Sequence, residues 1–359
     1  MSGSVHEGET RIDDLAVIVV STNEARWLSA CLSSVFEHRG ACSLEVVVAD
    51  NESTDGTAAL VEEEFPEARV VRCVNRGFAH ANNRGLETTN ARYVLFLNPD
   101  TEIRTGTFEA LVRRLDEQPD VGLAGVIQLT ADGEIYPTIR YFPNALRAFG
   151  QALGSERLSF RAQMLRERDL DLARYSQVVE CDWTSGSFML ARREALQSAG
   201  FLDERFFIYS EEPDLCLRMK RAGWKVCHLP DMTIVHHAGK AGVRPKMLAQ
   251  DAYTRMQHAR KHFGLVHRAA YTAALGLGYA VRALAAERDD SRAGRRAASR
   301  AALRVLVGLD SPPFGEPPRQ AVPSRGVAPM SALSDAAPSI GEPGASSDTP
   351  IESASGSVV

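Results

Sequence analysis

Four strand-like segments, each closed by a polar cluster and separated by stretches of helical periodicity, constrain the fold of this chain more than any other feature. The runs at 15–20 (LAVIVV), 44–49 (LEVVVA) and 93–97 (YVLFL) read as strands buried on both faces, and a further strand is expected over 68–74. Between the first two, Trp27, Leu28, Cys31, Leu32, Val35 and Phe36 recur at helical spacing, and further helices are predicted up to Phe65 and over about 79–88. Alternating strands and helices imply right-handed βαβ units, hence an α/β fold with a mostly parallel central sheet and helices on both faces. In that arrangement the clusters at 21–24, 50–57, 75–83 and 98–101 all lie along the carboxyl edge of the sheet, where open α/β sheets bind ligands.

The later pattern is less regular. A helix is expected over about 106–117, an apolar segment at 121–126, and an edge strand over 136–142. A mixed polar helical region over 144–175 is followed by a strand near 188–190, a helix over 211–222 and short strands at 226–229 and 233–235. Residues 265–286 and 294–309 carry helical periodicity. From 311 the chain turns to Pro, Ser, Gly and Ala, the composition of a disordered tail.

Composition narrows the function classes. A net charge of −5 over 359 residues does not suit a general nucleic-acid binder, which needs clustered basic surface. The six cysteines (31, 42, 73, 181, 216, 227) form no C-x-x-C pair and no zinc-type spacing, and fit reduced thiols in a cytoplasmic protein. The polar N-terminus lacks a signal-peptide core, and no run of 18 apolar residues suggests a spanning helix.

Among the strand ends, Asn98-Pro99-Asp100 delivers a carboxylate to the end of the fourth segment. Such an aspartate can ligate a hard cation, and Mg²⁺ commonly sits between carboxylates and substrate phosphates; the alternative is that Asn98 and Asp100 only cap a turn. Asp50 could accept hydrogen bonds from a base or ribose, while Asp55-Gly56-Thr57 either caps the next helix or contributes to an anion site at its N-terminus. Neither the dinucleotide glycine fingerprint nor a Walker P-loop is present, so a metal at Asp100 is the route left for holding phosphate.

The succession Ser21-Thr22-Asn23, VVVADNESTDGT (46–57), NRGFAHANNRG (75–85) and FLNPDTEI (96–103) resembles the family 2 inverting glycosyltransferases, and within them the rhamnosyltransferase-like branch. The resemblance covers about 14–264 and implies a GT-A-type nucleotide-diphospho-sugar transferase fold. A nucleotide-sugar half would lie at about 14–125 and an acceptor half at about 126–264, followed by a helical extension at 265–310 and the tail at 311–359. It implies donor contacts from Thr22, Asn23, Glu24, Asp50, Asn51, Ser53, Asn75, Gly77, Phe78, Asn82 and Asn98, with Mg²⁺ or Mn²⁺ held by Asp100. Asn98 stands where many relatives carry the first aspartate of D-x-D, a departure usual in the rhamnosyltransferase-like branch.

Downstream, Asp182 to Ser187 resembles the acceptor-side segment, implying contacts from Trp183, Thr184 and Gly186; Trp183 could equally be a core aromatic. Phe206 to Leu215 matches the aromatic-E-D-x-D-L signature, with Glu212 at the position of the general base, Glu211 beside it on the acceptor side, and Asp214 holding the loop or orienting the base. Two adjacent carboxylates can split their pKa values so that one stays ionised. His236, in His236-His237-Ala238-Gly239, matches the late H-x-x-G motif and would touch the metal or the leaving diphosphate. Lys240, Arg244 and Lys246 beyond it could steer that diphosphate or form a solvated basic loop.

The implied reaction is transfer of a sugar, with dTDP-rhamnose the leading donor and UDP- or GDP-sugars the alternatives, to a cell-surface glycan or lipid-linked acceptor at the cytoplasmic face. A nucleotidyltransferase and a non-catalytic nucleotide-binding protein on the same fold are the rivals. The arginine-rich helices at 265–309 suit either peripheral contact with anionic lipid or packing on the catalytic domain. Oligomeric state is not legible.

Overall fold

The structure, a computed structural model, describes residues 13–155, 160–237, 244–285 and 293–315. β1 (Leu15–Ser21), β2 (Leu44–Asn51), β3 (Ala68–Cys73) and β4 (Tyr93–Leu97) pair in parallel in the order β3-β2-β1-β4, as the strand-like segments predict. α1 (Ala25–Glu37), α2 (Thr57–Glu64) and α3 (Phe78–Leu86) connect them. The sheet is apolar on both faces because both are covered. Val17, Val19, Val46, Val48 and Leu95 pack with α1, α2 and α4 (Phe108–Glu117). Ile18, Val47, Val94 and Phe96 face α3, α6 (Arg193–Ala199) and α7 (Glu211–Arg221).

Beyond β4 the sheet becomes mixed. β9 (Phe188–Arg192) lies antiparallel between β4 and β6 (Val121–Thr130), and β10 (Lys225–His236) runs parallel to β6 with antiparallel β5 (Thr101–Thr105) at its outer side. Two short strands, β7 (Ile135–Tyr136) and β8 (Val179–Glu180), pair with β6 and β10. The antiparallel insertion has a direct consequence: the carboxyl ends of β1, β4, β6 and β10 and the amino end of β9 all reach one edge.

The expected edge strand at 136–142 shrinks to a two-residue pairing at Ile135–Tyr136, after which Thr138 and Ile139 turn into the core. The two short strands expected at 226–229 and 233–235 are one strand, whose register shifts between Leu229 and Thr233, around Pro230. The 144–175 region holds α5 (Ala145–Ala152) and two 3₁₀ segments. α8 (Pro245–His262), α9 (Leu265–Ala285) and α10 (Ala293–Leu306) pack with α5 around Met256, Tyr271, Leu275, Tyr279 and Ala302. The extension therefore does pack on the domain. Among the described residues no helix is long and apolar enough to cross a membrane. The expected tail lies outside the described residues from 316 onward.

Candidate active site

The strand-end loops are tied to one another by the side chains expected to contact the donor. Asn51 Nδ2 donates to Thr22 Oγ1 (3.2 Å) and Asn75 Oδ1 (3.0 Å), linking the ends of β1, β2 and β3. The Asn23 N–H donates to Ser53 Oγ (3.0 Å), Thr54 N–H to Asn23 Oδ1 (2.7 Å), and Ser53 N–H to Asp50 Oδ1 (3.1 Å). Asp55 accepts from Thr57 within its own turn and from the Ala25 N–H at the start of α1 (3.0 Å), so it is a structural cap joining two loops. Asn23 and Glu52 hold positive φ (57° and 62°), a conformation that costs free energy and collects at functional loops.

Gly77, among the expected donor contacts, also has a packing role. With φ +101°, a Cβ there would lie 2.1 Å from the Phe207 carbonyl oxygen, and the Phe78 N–H donates to that same oxygen at 2.6 Å. The missing side chain brings the 206–210 loop against the donor edge. Asn82 is fully buried, and its amide donates to Phe78 O within its own helix.

At the end of β4, Asp100 Oδ1 lies 3.1 Å from His236 Nε2. The other imidazole nitrogen lies 3.0 Å from Gln128 Nε2, and Gln128 Oε1 accepts from Ser187 Oγ (2.6 Å), which also bonds Ser185 Oγ (3.2 Å). Asn98 Nδ2 sits 3.4 Å from His236 Nε2. Four strand ends thus fix one imidazole. The neighbouring His237 stacks on Trp27 (5.0 Å between centroids, 9° between planes) and meets Glu102 Oε1 at 2.7 Å, so it is committed elsewhere.

A divalent cation, implied by the resemblance, is chemically compatible with this corner. Asp100 and His236 supply an oxygen and a nitrogen donor, and among the described residues no lysine or arginine pairs with Asp100. Glu24, at the end of β1, has its pKa raised by burial and then by the Asp100 carboxylate, so the two carboxylates lie near one another. With Gln128 turned to present its oxygen to Nδ1–H, Nε2 is freed as a ligand, the usual way an outer partner sets a ligating histidine.

From this corner a cavity of about 750 Å³ extends toward α8. Glu24, Trp27 and His237 line one side, and Trp183, Ser185, Tyr209 and Glu212 line another. Tyr209 and Ser210 both have positive φ (71° and 70°), a strained pair that turns the chain sharply into α7 and aims its first residues. Glu212, partly open to the cavity, is cradled by Gly186: a Cβ at 186 would fall 2.6 Å from Glu212 Oε1. Burial raises the Glu212 pKa. Glu211 is buried with Oε2 unpartnered, and its pKa is pushed further up, by burial and then by the Glu212 charge. Both carboxyl groups are thus held above the usual carboxylate range, Glu211 the further. Glu211 lies beneath the surface, which corrects its expected acceptor contact. Thr184 is also buried, packed against Gly125, so of the expected acceptor residues Trp183 reaches the cavity directly and Gly186 acts through Glu212.

Asp214 closes the far side of α7. Burial alone would raise its pKa. The hydrogen bond from His262 (2.7 Å) and the charges of Arg218 and Lys261 overcome that and hold it well below the usual carboxylate range. Asp214, His258 and His262 gather ligand-type atoms within 4.8 Å of one another, but Lys261 (2.6 Å) and Arg218 (2.8 Å) already neutralise the aspartate. This is a charge network fastening α7 to α8.

The cavity residues Tyr136, Arg140, Arg168, Asp251, Arg255 and His258 escape the sequence reading. They come from irregular segments and from α8, and no spacing in the chain links them. Arg244 lines the cavity and Lys246 stands 4.1 Å from the Phe314 ring centre, while Lys240 lies outside the described residues.

Comparison with known proteins agrees with this geometry. Residues 16–197 match the model of glycosyl transferase family 2, and the chain belongs to that family. Its relatives include the N-acetylglucosaminyl-diphospho-decaprenol L-rhamnosyltransferase of Mycobacterium tuberculosis, 28% identical over 54% of this chain and 66% of the relative. The rhamnosyltransferase WbbL of Escherichia coli is 25% identical over 45% of this chain and 61% of the relative. The chain thus matches somewhat under two thirds of the length of either relative. A solved mannosyltransferase of Pyrobaculum calidifontis, in complex with GDP-Man and Mn²⁺, superposes with TM-score 0.54 at 19% identity, covering 84% of this chain and 89% of its own, which shows a shared GT-A-like fold.

Proposed function

We propose that this chain is an inverting glycosyltransferase that moves a sugar from a nucleotide-diphospho-sugar, with dTDP-rhamnose the leading donor, to a hydroxyl of a lipid-linked or cell-surface glycan. The observation that carries this reading is the Glu212 carboxylate, packed against Gly186 on the wall of a cavity that Glu24 and His237 also line, His237 being next in the chain to His236, which meets Asp100. The residues at about 14–125 bind the donor, those at 126–264 the acceptor, and the helices from 265 onward buttress α8.

In this reading the nucleotide rests on the loops joined by Asn51, Thr22 and Asn75, with Asp50 toward the base. The acceptor hydroxyl hydrogen-bonds to Glu212, which takes its proton as the oxygen attacks the anomeric carbon from the face opposite the diphosphate. The bond from that carbon to the diphosphate oxygen breaks, and the nucleoside diphosphate leaves with the electron pair. A divalent cation bound by Asp100 and His236, with Glu24 close by, would offset the charge gathering on the leaving group. A raised pKa suits Glu212 to its task, since a more basic carboxylate abstracts a proton more readily. The rhamnosyltransferase relatives support the sugar assignment, and the name of the mycobacterial one supports a diphospho-lipid acceptor.

The test is a donor panel: dTDP-rhamnose, UDP- and GDP-sugars with Mn²⁺, read as nucleoside diphosphate release. Release from dTDP-rhamnose above all others is expected. Preference for a UDP- or GDP-sugar would overturn the donor, and no release or binding from any would overturn the transferase reading.

A further inference from the structure

Arg140 differs from Arg255 in how its charge is met. Arg255, on the same wall, is neutralised by Glu167 and Asp251, each at 3.0 Å. Arg140 forms no ion pair among the described residues, and its Nε is buried without a hydrogen-bond partner. What it has instead is a frame. Its guanidinium carbon lies 5.6 Å from the Tyr136 ring centre and 5.2 Å from that of Trp183, and Nη2 donates to the Tyr136 hydroxyl at 3.1 Å. The frame is rigid: the Arg140 N–H donates to Trp183 O (3.1 Å), and the indole N–H donates to Tyr141 O (3.0 Å). Arg168 brings a second guanidinium to the same tyrosine, 5.9 Å from its centre.

We propose that Arg140, braced by Tyr136 and Trp183 beside Glu212, is an anion subsite for a phosphate group carried by the acceptor. Glu167 and Glu212 stand near enough to feel the Arg140 charge but neither pairs with it directly, and the aromatic faces offset only part of the cost of a half-buried cation. A planar guanidinium held in a fixed orientation matches the geometry of phosphate oxygens and loses little side-chain entropy on binding them. A second cation on the same ring suits a doubly charged group better than a single carboxylate. The location of the acceptor follows from the reading of Glu212 as base. Arg140 is near enough for its charge to favour the Glu212 carboxylate form, so the anion is attached to the sugar that presents its hydroxyl there. A bound phosphate would cancel that effect and make Glu212 the stronger base when the acceptor is in place.

The experiment uses the full chain in EDTA, which removes metal-dependent diphosphate binding at Asp100. Calorimetric titration compares geranyl diphosphate, inorganic pyrophosphate and neutral geraniol. Both anions are expected to bind and geraniol is not; Arg140→Gln should weaken the anions at least tenfold. Tighter binding of geranyl diphosphate than pyrophosphate supports a lipid-linked phosphate, and equal binding supports recognition of the phosphate alone. Unchanged affinity in folded Arg140→Gln, or displacement of the anion by dTDP, overturns the proposal. Should Arg140→Gln not fold, Arg140→Lys, which keeps the charge and loses the fork, carries the test: a fall in affinity is expected, and an unchanged value overturns the subsite. The donor panel is read separately. Anion binding through Arg140 without sugar transfer would sink the transferase reading and leave the subsite, whereas transfer with Arg140-independent anion binding would do the reverse.

Discussion

Gly186 and Glu212 share one volume: the carboxylate occupies the place where a side chain at 186 would begin, 2.6 Å from an ideal Cβ. Gly186→Ala should therefore displace Glu212 while leaving the strand-end loops intact. The expected outcome is a loss of kcat of about 100-fold or more with the nucleoside diphosphate Kd within a factor of a few, because small misplacements of a catalytic group are costly. A parallel fall in nucleotide affinity would show that the glycine serves the fold and not the base.

Glu212→Gln keeps the size but removes the basic oxygen. Transfer should fall by about 10²–10⁴-fold, the usual worth of a general base, with donor binding preserved in titration calorimetry. Glu211→Gln is the informative contrast. Glu211 is buried and does not line the cavity, so its amide should cost much less turnover than the Glu212 change.

Metal affinity should depend on a residue that does not itself ligate. Gln128 holds His236 Nδ1 and is held by Ser187. Gln128→Leu is expected to weaken Mn²⁺ binding by about 10–100-fold, read by electron paramagnetic resonance of the free ion, since outer partners of ligating histidines contribute on that scale. Asp100→Ala should remove the metal dependence of nucleoside diphosphate binding altogether. Equal affinity with and without Mn²⁺ in the parent protein would refute the site.

Acid should loosen the α7–α8 junction through two groups with the same sign. His258 has its pKa lowered to about 3, chiefly by burial and then by neighbouring His262. The unfolded chain takes up this proton near pH 6.5 and the folded one does not, so stability falls as the pH drops from about 6.5 toward 3, by at most about 1.4 kcal/mol per unit. Asp214, depressed in the fold, contributes stability that is complete above its unfolded value of about 3.9 and is lost as the pH falls through its lower folded value. Urea unfolding of His258→Gln should show a flatter slope between pH 6.5 and 4. Asp214→Asn should lose about 3–5 kcal/mol at pH 7, because it leaves Arg218 and Lys261 buried without their acid.

β1, β2 and β4 were legible because each is covered on both faces, which writes burial into sequence as a near-continuous apolar run. β5 was not, because Thr-Glu-Ile-Arg-Thr at a sheet edge buries only alternate residues. α8 was missed as well: Asp251, Arg255 and His258 turn toward the cavity, so polar side chains interrupt the apolar face by which a helix is recognised.

The chain's own order determined the parallel half-sheet, the polar carboxyl edge and the positions of Asp100, Glu212 and His236, because these depend on residue type and local spacing. Tertiary structure alone decided which residues meet there. Inserting β9 antiparallel brings Gly186 and Ser187 to the edge where β4, β6 and β10 end, so that Ser187 holds Gln128, Gln128 holds His236, and Gly186 makes room for Glu212. The frame of Tyr136 and Trp183 around Arg140 arises in the same way, from contacts across 47 positions of sequence that no local pattern encodes.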